Sequence, residues 1–381
     1  MNTRTGSFLA KCVLLGGFAF PHAQNAAAQS IPSAILPSAR LTVGAEGDSV
    51  QEFDRVVTPF LMPDGRLVVP LSSANTIRVF TAAGRFVNSL GRRGAGPGEF
   101  TRLSAAWPRG DTIEAFDHQL RRITRFLPNG RVEVVTLRGT VRDLSLTGAA
   151  MGEGWMAGGV ASGGRGRRDS VVLHHFARDG SDRGEIARTL GFARYQSPVM
   201  SGPEPFSPRP VVGVQRGLLY IADNQTPSIR VMQSNGTVQR TITWQPGPAI
   251  SPREALRTVI DAAVAKAPAN QAVNTRIRWE AAPVRERLPA FSCFIVDDLG
   301  FIWVRPYEPL KHSMALGGLM LPGGGPGGRW TILSPAGVKV GEVDMPSDFE
   351  PLRITSDAVI GVALDEFDVE TVRVHSIQRR R

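Results

Sequence analysis

Residues Arg66–Phe100 read RLVVPLSSANTIRVFTAAGRFVNSLGRRGAGPGEF. Two short apolar strands, RLVVPLS and TIRVFTA, lead into a glycine hairpin (AGR), an outer strand (FVNSLG) and a Gly-rich exit. The unit recurs when the chain is aligned on a turn glycine preceded, four residues earlier, by a large apolar residue. Phe80 and Gly84 set the pattern. Phe126 and Gly130, Phe176 and Gly180, Met232 and Gly236, and Leu333 and Gly337 repeat it. Successive anchors lie 46, 50, 56 and 101 residues apart, the last interval being one unit plus an insertion.

A period of about 40 to 50 residues with four short strands per unit predicts the blades of a β-propeller. A lone four-stranded sheet has two apolar faces and can bury neither; blades stacked around an axis bury both. Strands are expected near 56–62, 66–72, 76–82 and 86–91 in blade 1, and near 103–108, 112–117, 122–127 and 132–138 in blade 2. Blade 3 is looser, near 141–147, 154–160, 170–177 and 183–188; blade 4 is near 210–215, 218–224, 228–233 and 238–244. Blade 5 falls near 290–297, 301–307, 329–334 and 338–344, and blade 6 supplies only three strands, 351–356, 358–365 and 371–377. The missing strand is expected from Arg40–Ala45 (RLTVGA), which would close the ring and remove an exposed edge. The expected fold is therefore all-β: a six-bladed β-propeller of four-stranded blades over 40–378, with an N-terminal strand closing the last blade and one short helical insertion at 246–289.

Residues 1–28 stand apart. Arg4 and Lys11 form a basic start, Cys12–Phe20 a short apolar run, and Ala26–Ala28 a small-residue cleavage site, which together read as a secretory signal peptide. Residues 29–39 are expected to be a flexible lead-in and 379–381 a basic tail. The mature chain is expected to be exported, to the periplasm or beyond, without a transmembrane segment. Cys293 is then the one remaining cysteine, in the apolar run AFSCFIVDD; it reads as a buried thiol, and stability must come from core burial. The net charge of +10 falls to +8 on losing Arg4 and Lys11, and only four of the 44 basic residues are lysine. Arginine excess suits carboxylates and phosphates, although codon bias gives the same excess. An exported protein has little access to nucleic acid, so the partner expected is a small-molecule, glycan or protein ligand, with anionic ligands favoured by the charge.

NTIRVFTAAGRFVNSLGRRGAGPGEF (Asn75–Phe100) resembles an NHL repeat, and YIADNQTPSIRVM and PAFSCFIVDDLGFIWV resemble parts of the same unit. The chain is similar to exported bacterial six-bladed propellers of this type, which implies a fold rather than an activity. The Gly91–Gly98 run lacks the Lys-Ser/Thr and following helix of a phosphate loop and reads as an inter-blade turn.

In an up-and-down blade the turns joining strands 1–2 and 3–4 share one rim; the 2–3 turns and the inter-blade connections share the other. Turns of the first kind are short. The long segments, Gly159–Asp169, Thr189–Arg209, Gln245–Pro289 and Pro306–Gly328, are all of the second kind. That rim is the expected binding face. Ser251-Pro252-Arg253-Glu254 reads as a capping box, with Leu256, Val259, Ile260, Ala263, Val264 and Ala267 at helical spacing and Pro268 as the stop. The helix reads equally as a lid or as a plug in the channel.

On the same rim Asp117-His118, Asp223-Asn224 and Asp365-Glu366 each open a 2–3 turn. Such a ring could hold calcium; alternatively, Asp and Asn cap tight turns through their own side chains. Arg165, Arg167, Arg168, Arg194 and Tyr195 could meet an anionic ligand or form a solvated charged loop. His118 and His312 fall on this rim, whereas His174 and His175 are adjacent in a strand and point to opposite faces. The expected function is a ligand- or protein-binding propeller, with no catalytic residue assigned. The alternative is a metal-dependent lyase or lactonase-like hydrolase at the channel mouth, using calcium or zinc, with Asp117, Asp223 and Asp365 as candidate ligands.

Overall fold

The five turn glycines that revealed the repeat all take left-handed φ, between 79° and 89° for Gly84, Gly130, Gly180, Gly236 and Gly337. Each closes a hairpin in which the apolar residue four positions earlier ends the third strand of a blade and is buried (Phe80, Phe126, Phe176, Met232 and Leu333). This computed structural model describes residues 30–44, 52–139, 150–161, 168–196, 201–247, 250–312, 325–364 and 369–380.

Six antiparallel sheets form the ring, making the chain a six-bladed β-propeller. Blade 1 is β2 (Phe60–Leu61), β3 (Leu67–Leu71), β4 (Thr76–Phe80) and β5 (Phe86–Leu90). Blade 2 is β6 (Leu103–Arg109), β7 (Thr112–Asp117), β8 (Arg122–Phe126) and β9 (Val132–Thr136). Blade 3 has β10 (Ala150–Met151), β11 (Gly154–Ala161), β12 (Arg168–Phe176), β13 (Asp182–Gln196) and a fifth strand, β14 (Ser201–Pro203). Blade 4 is β15 (Pro210–Gln215), β16 (Leu218–Asp223), β17 (Ser228–Met232) and β18 (Val238–Thr243). Between it and the next blade come α1 (Pro252–Lys266) and α2 (Ala272–Glu280). Blade 5 is β19 (Cys293–Val296), β20 (Ile302–Arg305), β21 (Arg329–Leu333) and β22 (Lys339–Asp344), with a short α3 (Pro309–His312) after β20. Blade 6 is β23 (Phe349–Ile354), β24 (Ala358–Leu364) and β25 (Glu370–Arg380), completed at its outer edge by β1 (Ile31–Val43).

The closing strand is longer than expected. It pairs antiparallel with β25 from Ile31↔Arg380 to Val43↔Val372, so residues 31–39, expected to be a loose lead-in, belong to it. Two of the three tail arginines likewise lie inside β25, where Arg379 donates to the buried Asp297 carboxylate at 2.9 Å. Side chains of β1 enter both neighbouring interfaces: Ile35 joins the blade 5 and 6 core, and Val43 joins the blade 6 and 1 core.

Two of the segments read as loops are partly strand. Residues 168–169 start β12, and 189–196 continue β13, which then folds back onto β14. Arg168 and Asp169 carry no apolar side chain, and in ARTLGFARY the two arginines and Gly191 break the apolar alternation, so neither extension shows as a strand in the sequence. The first strand expected for blade 3, 141–147, and the candidates Arg165, Arg167, Asp365 and Glu366 lie outside the described residues. The expected helix is present, but its capping box is not formed. Ser251 is extended (φ −62°, ψ 128°) and makes no side-chain cap bond. Pro252, pre-set for helical φ at the first position, starts the helix instead.

The turn glycines make a graded prediction. Gly130 and Gly180 have near-equal φ (79° and 82°), but an added Cβ meets nothing within 4 Å at Gly130 and the Thr136 carbonyl oxygen at 2.1 Å at Gly180. Gly130→Ala is expected to cost about 1 kcal/mol of backbone strain, and Gly180→Ala about 3 kcal/mol, since backbone must move as well. Urea midpoints of the two variants measure the difference; equal midpoints would refute it.

Candidate functional site: the decorated rim

Among the described residues the elaborations of the blades sit on 2–3 turns or inter-blade connections. The α1–α2 insertion joins β18 to β19, α3 joins β20 to β21, and the β13–β14 extension leads to β15. Strand alternation places these on one rim. They also pack together. Ala255, Leu256, Val259 and Ile260 of α1 form one buried cluster with Phe206 from the β14–β15 connection, and Trp279, Leu288 and Tyr307 pack against it. Phe206 meets Tyr307 edge-on, with ring centroids 6.5 Å apart. Arg285 of the insertion donates to Glu204 of the β14–β15 connection at 2.8 Å. Three connections from different blades thus build a small second core.

Beside this cover lies a polar layer at the ends of blades 4 and 5. Arg209, immediately before β15, is only 6% exposed. Burial lowers its pKa, opposed by the nearby Tyr307 hydroxyl and Cys293 thiol. Burial likewise pushes the Tyr307 hydroxyl well above its ordinary range, with Arg209 pulling it back. Arg305, fully buried at the end of β20, donates to the carbonyls of Gly325 and Pro326 and lies over the Trp330 ring. The Ser292 hydroxyl is buried with no hydrogen-bond partner among the described residues. A guanidinium held in so dry a setting would attract a carboxylate or other anion far more strongly than one in water. Sequence reasoning passed over Arg209, Tyr307 and Phe206. The proline-flanked stretches EPFSPRP and RPYEP, which limit backbone freedom around these side chains, were the available signal.

The residues singled out by sequence divide by role. Asp117 is fully buried, and its carboxylate accepts from the backbone N–H groups of Thr101 (2.6 Å), Arg102 (3.1 Å) and Leu120 (2.8 Å). Asn224 accepts from the Arg209 N–H (2.7 Å) and donates to the Phe291 carbonyl (2.9 Å). Asn75, which the search did not single out, accepts from the Leu103 N–H at 2.9 Å. These side chains stitch the start of a first strand to a neighbouring 2–3 turn, within a blade or across to the next. The turn-capping alternative therefore describes Asp117 and Asn224, whose polar atoms are taken up by backbone. Asp223 is bound by Arg168 through two parallel bonds of 2.6 and 2.9 Å, and Arg168 also donates to the Gly191 and Leu190 carbonyls. That pair fastens the blade 3 ribbon to blade 4.

His118 is half-buried in the β7–β8 turn, its backbone N–H donating to the Arg102 carbonyl. Tyr195, on β13, has a buried hydroxyl without a hydrogen-bond partner among the described residues, and burial raises its pKa. Arg194 pairs through its backbone with Pro203, and His312 ends α3. Among the described residues no three His, Cys, Asp or Glu side chains converge as a metal site would require.

The Gly-rich exit of blade 1 is an inter-blade turn wrapped around a cation. The carbonyls of Ala95, Gly96 and Glu99 converge on the Arg122 guanidinium at 2.5 to 2.8 Å. The Gly96 N–H is taken by Glu99 and the Gly94 N–H by the Phe100 carbonyl. Carbonyls pointing inward are the reverse of a phosphate cradle, which needs converging N–H groups.

A family model described as a 6-bladed beta-propeller (DUF5128) matches residues 56–126, covering blades 1 and most of 2. No curated protein matches the sequence. Among solved structures, a member of the DUF4221 family from Bacteroides vulgatus is similar at 9% identity over 93% of this chain and 99% of that one, with a TM-score of 0.52. A putative exported protein from Bacteroides fragilis aligns at 10% identity over 90% and 95% of the two chains, TM-score 0.47. A catalytically inactive virginiamycin B lyase from Staphylococcus aureus, solved with quinupristin, aligns at 10% identity over 93% and 97%, TM-score 0.39. At 9% identity the likeness to the Bacteroides vulgatus protein concerns the fold alone. No described helix is long and apolar enough to cross a membrane.

Proposed function

We propose that this is an exported binding propeller that holds a small anionic or carbonyl-rich ligand at its decorated rim, under the cover formed by α1 and α2. The observation that carries the reading is the shared core of Phe206, Leu256, Val259, Ile260 and Tyr307, to which three separate connections contribute beside buried Arg209. Elaborations that served only to fill surface would have no reason to meet. Export rests on the signal-like first 28 residues.

Replacing 249–287 by a short Gly/Ser linker tests it. The ends to be joined, β18 and β19, are the outermost and innermost strands of adjacent blades, and residues 244–248 and 288–292 remain to span the few strand spacings of about 4.8 Å each. The excised chain is expected to keep the β-sheet part of its far-ultraviolet circular dichroism, losing only the helical contribution of α1 and α2, and to melt within about 5 °C of the intact protein. A thermal-shift panel of sugar acids, dicarboxylates and sulfated oligosaccharides is expected to give a stabilising compound for the intact protein. That shift should vanish in the excised chain and in Arg209→Gln. An excised chain that fails to fold makes the insertion structural, and a retained shift places the ligand elsewhere.

The metal-dependent lyase or lactonase reading finds no donor set in the described residues: Asp117 is saturated by N–H groups and Asp223 is paired with Arg168. Metal analysis of the purified chain decides it; stoichiometric calcium or zinc lost in Asp223→Ala would revive that reading.

A further inference from the structure

The helical insertion leaves one apolar surface uncovered. α1 buries Ala255, Leu256, Val259 and Ile260, whereas α2 buries none of its nine residues. Val273 and Ile277, one turn apart on α2, are 71% and 48% exposed, and Val284 beyond it is 45% exposed. A helix this short is not stable by itself in water, and α2 is held mainly through Trp279 and the Arg276–Asp261 ion pair at 3.2 Å. Between the helices runs a groove of about 290 Å³ lined by Leu256, Ile260 and Val284, with Arg253 and Arg257 on one wall and Arg276 and Glu280 on the other. Arg276 is countered by Asp261 and Glu280. Arg253 and Arg257, a turn apart on the same face of α1, have no ion-pair partner among the described residues.

We propose that this groove, with the Val273–Ile277 ridge beside it, docks an acidic segment of a partner protein that carries a few aliphatic side chains. The aliphatic floor takes the anchors, and the two uncompensated guanidiniums take carboxylates. Residues 246–289 carry seven Lys and Arg against four Asp and Glu, so the surface attracts an acidic partner. The span from 253 to 260 is about 11 Å at 1.5 Å per residue, which suits two turns of helix or three extended residues. A second copy of this chain fits poorly, because two-fold pairing of the face would bring Arg253 and Arg257 of both copies together. An anionic bilayer fits poorly too, because exposed Glu254, Asp261 and Glu280 stand among the cations and would face lipid phosphates. The inference does not depend on the ligand proposed for the rim.

The test uses the intact mature chain and fluorescein-labelled twelve-residue peptides with leucines at helical spacing, glutamates elsewhere, and a lysine-for-glutamate control. Fluorescence anisotropy at physiological salt is expected to show saturable binding of the acidic peptide and none of the control. Arg253→Glu/Arg257→Glu is expected to weaken binding at least tenfold and Val273→Ser/Ile277→Ser at least fivefold, with melting temperatures unchanged because all four side chains are exposed. Phosphatidylglycerol vesicles and sedimentation velocity provide the other arms. Absence of saturable binding, equal binding of the lysine control, or indifference to both double variants overturns the proposal. So does vesicle binding, or self-association, that these substitutions abolish. A rim ligand found in the thermal-shift panel should keep its effect in Arg253→Glu/Arg257→Glu, so the two proposals fail separately.

Discussion

A chain beginning at residue 46 is expected to lose its cooperative melting transition and to elute as aggregate or as a strand-exchanged oligomer. β1 supplies the fourth strand of blade 6, and without it the 11-residue β25 becomes an open edge that pairs with other chains. Ile35 and Val43 leave two separate cores, at about 1.5 to 3 kcal/mol each. The Leu36 carbonyl, which accepts from the Nδ1–H of buried His375 at 2.9 Å, and the Ser30 carbonyl, held by Arg379, also go. Together with the backbone ladder these losses match the whole margin of about 5 to 15 kcal/mol that keeps a domain folded. Circular dichroism melts and size-exclusion chromatography measure the outcome, and a synthetic peptide spanning 30–44, added in excess, is expected to restore part of the transition. A truncated chain that stays monomeric and melts within a few degrees of the parent would contradict ring closure by this strand.

Glu114→Ala is expected to be the most damaging single substitution. Its carboxylate is completely buried and accepts from two indole N–H groups, Trp107 at 2.9 Å and Trp155 at 2.8 Å. The other oxygen meets Arg109 at 2.9 Å and Arg125 at 3.2 Å. Trp155 belongs to blade 3, so one side chain couples two blades. Truncation leaves two indoles and two guanidiniums facing a void, a loss of about 3 to 5 kcal/mol. Glu114→Gln keeps an acceptor for the indoles but not the charge, and about half that loss is expected. Urea unfolding at constant m-value reads both; a change below about 1 kcal/mol for the alanine variant would show that the network is dispensable.

What could be read in advance was local. An apolar residue four positions before a turn glycine marks the close of a third strand, because the hairpin demands left-handed φ and the blade interior demands a large side chain. Phe80-Gly84 and its echoes therefore announce blades without reference to any distant residue. The α1 stripe was visible for the same reason. α2 was not: AVNTRIRWE has too few apolar positions to display a face. Nor were the extensions of β12 and β13 beyond the expected 170–177 and 183–188, where glycine and arginine interrupt the apolar pattern and the stretch looks like loop until its partner strands are in place.

The candidate site was less legible than the fold. Asp117 and Asn224 stood out by position, but whether such a side chain faces an empty mouth or a row of N–H groups depends on strands 15 to 67 residues away. Arg209 and Tyr307 were passed over because nothing near either residue tells that the other lies beside it.

Periodicity along the chain was enough to establish the blade count, the closing strand and the rim that carries the insertions, since each follows from strand alternation and from the need to bury two sheet faces. Folding in three dimensions decided that the insertions share a core, that arginine is buried beside it, and which carboxylates are already satisfied. Burial and hydrogen bonding between distant segments are properties of the packed ring, and no local stretch of residues contains them.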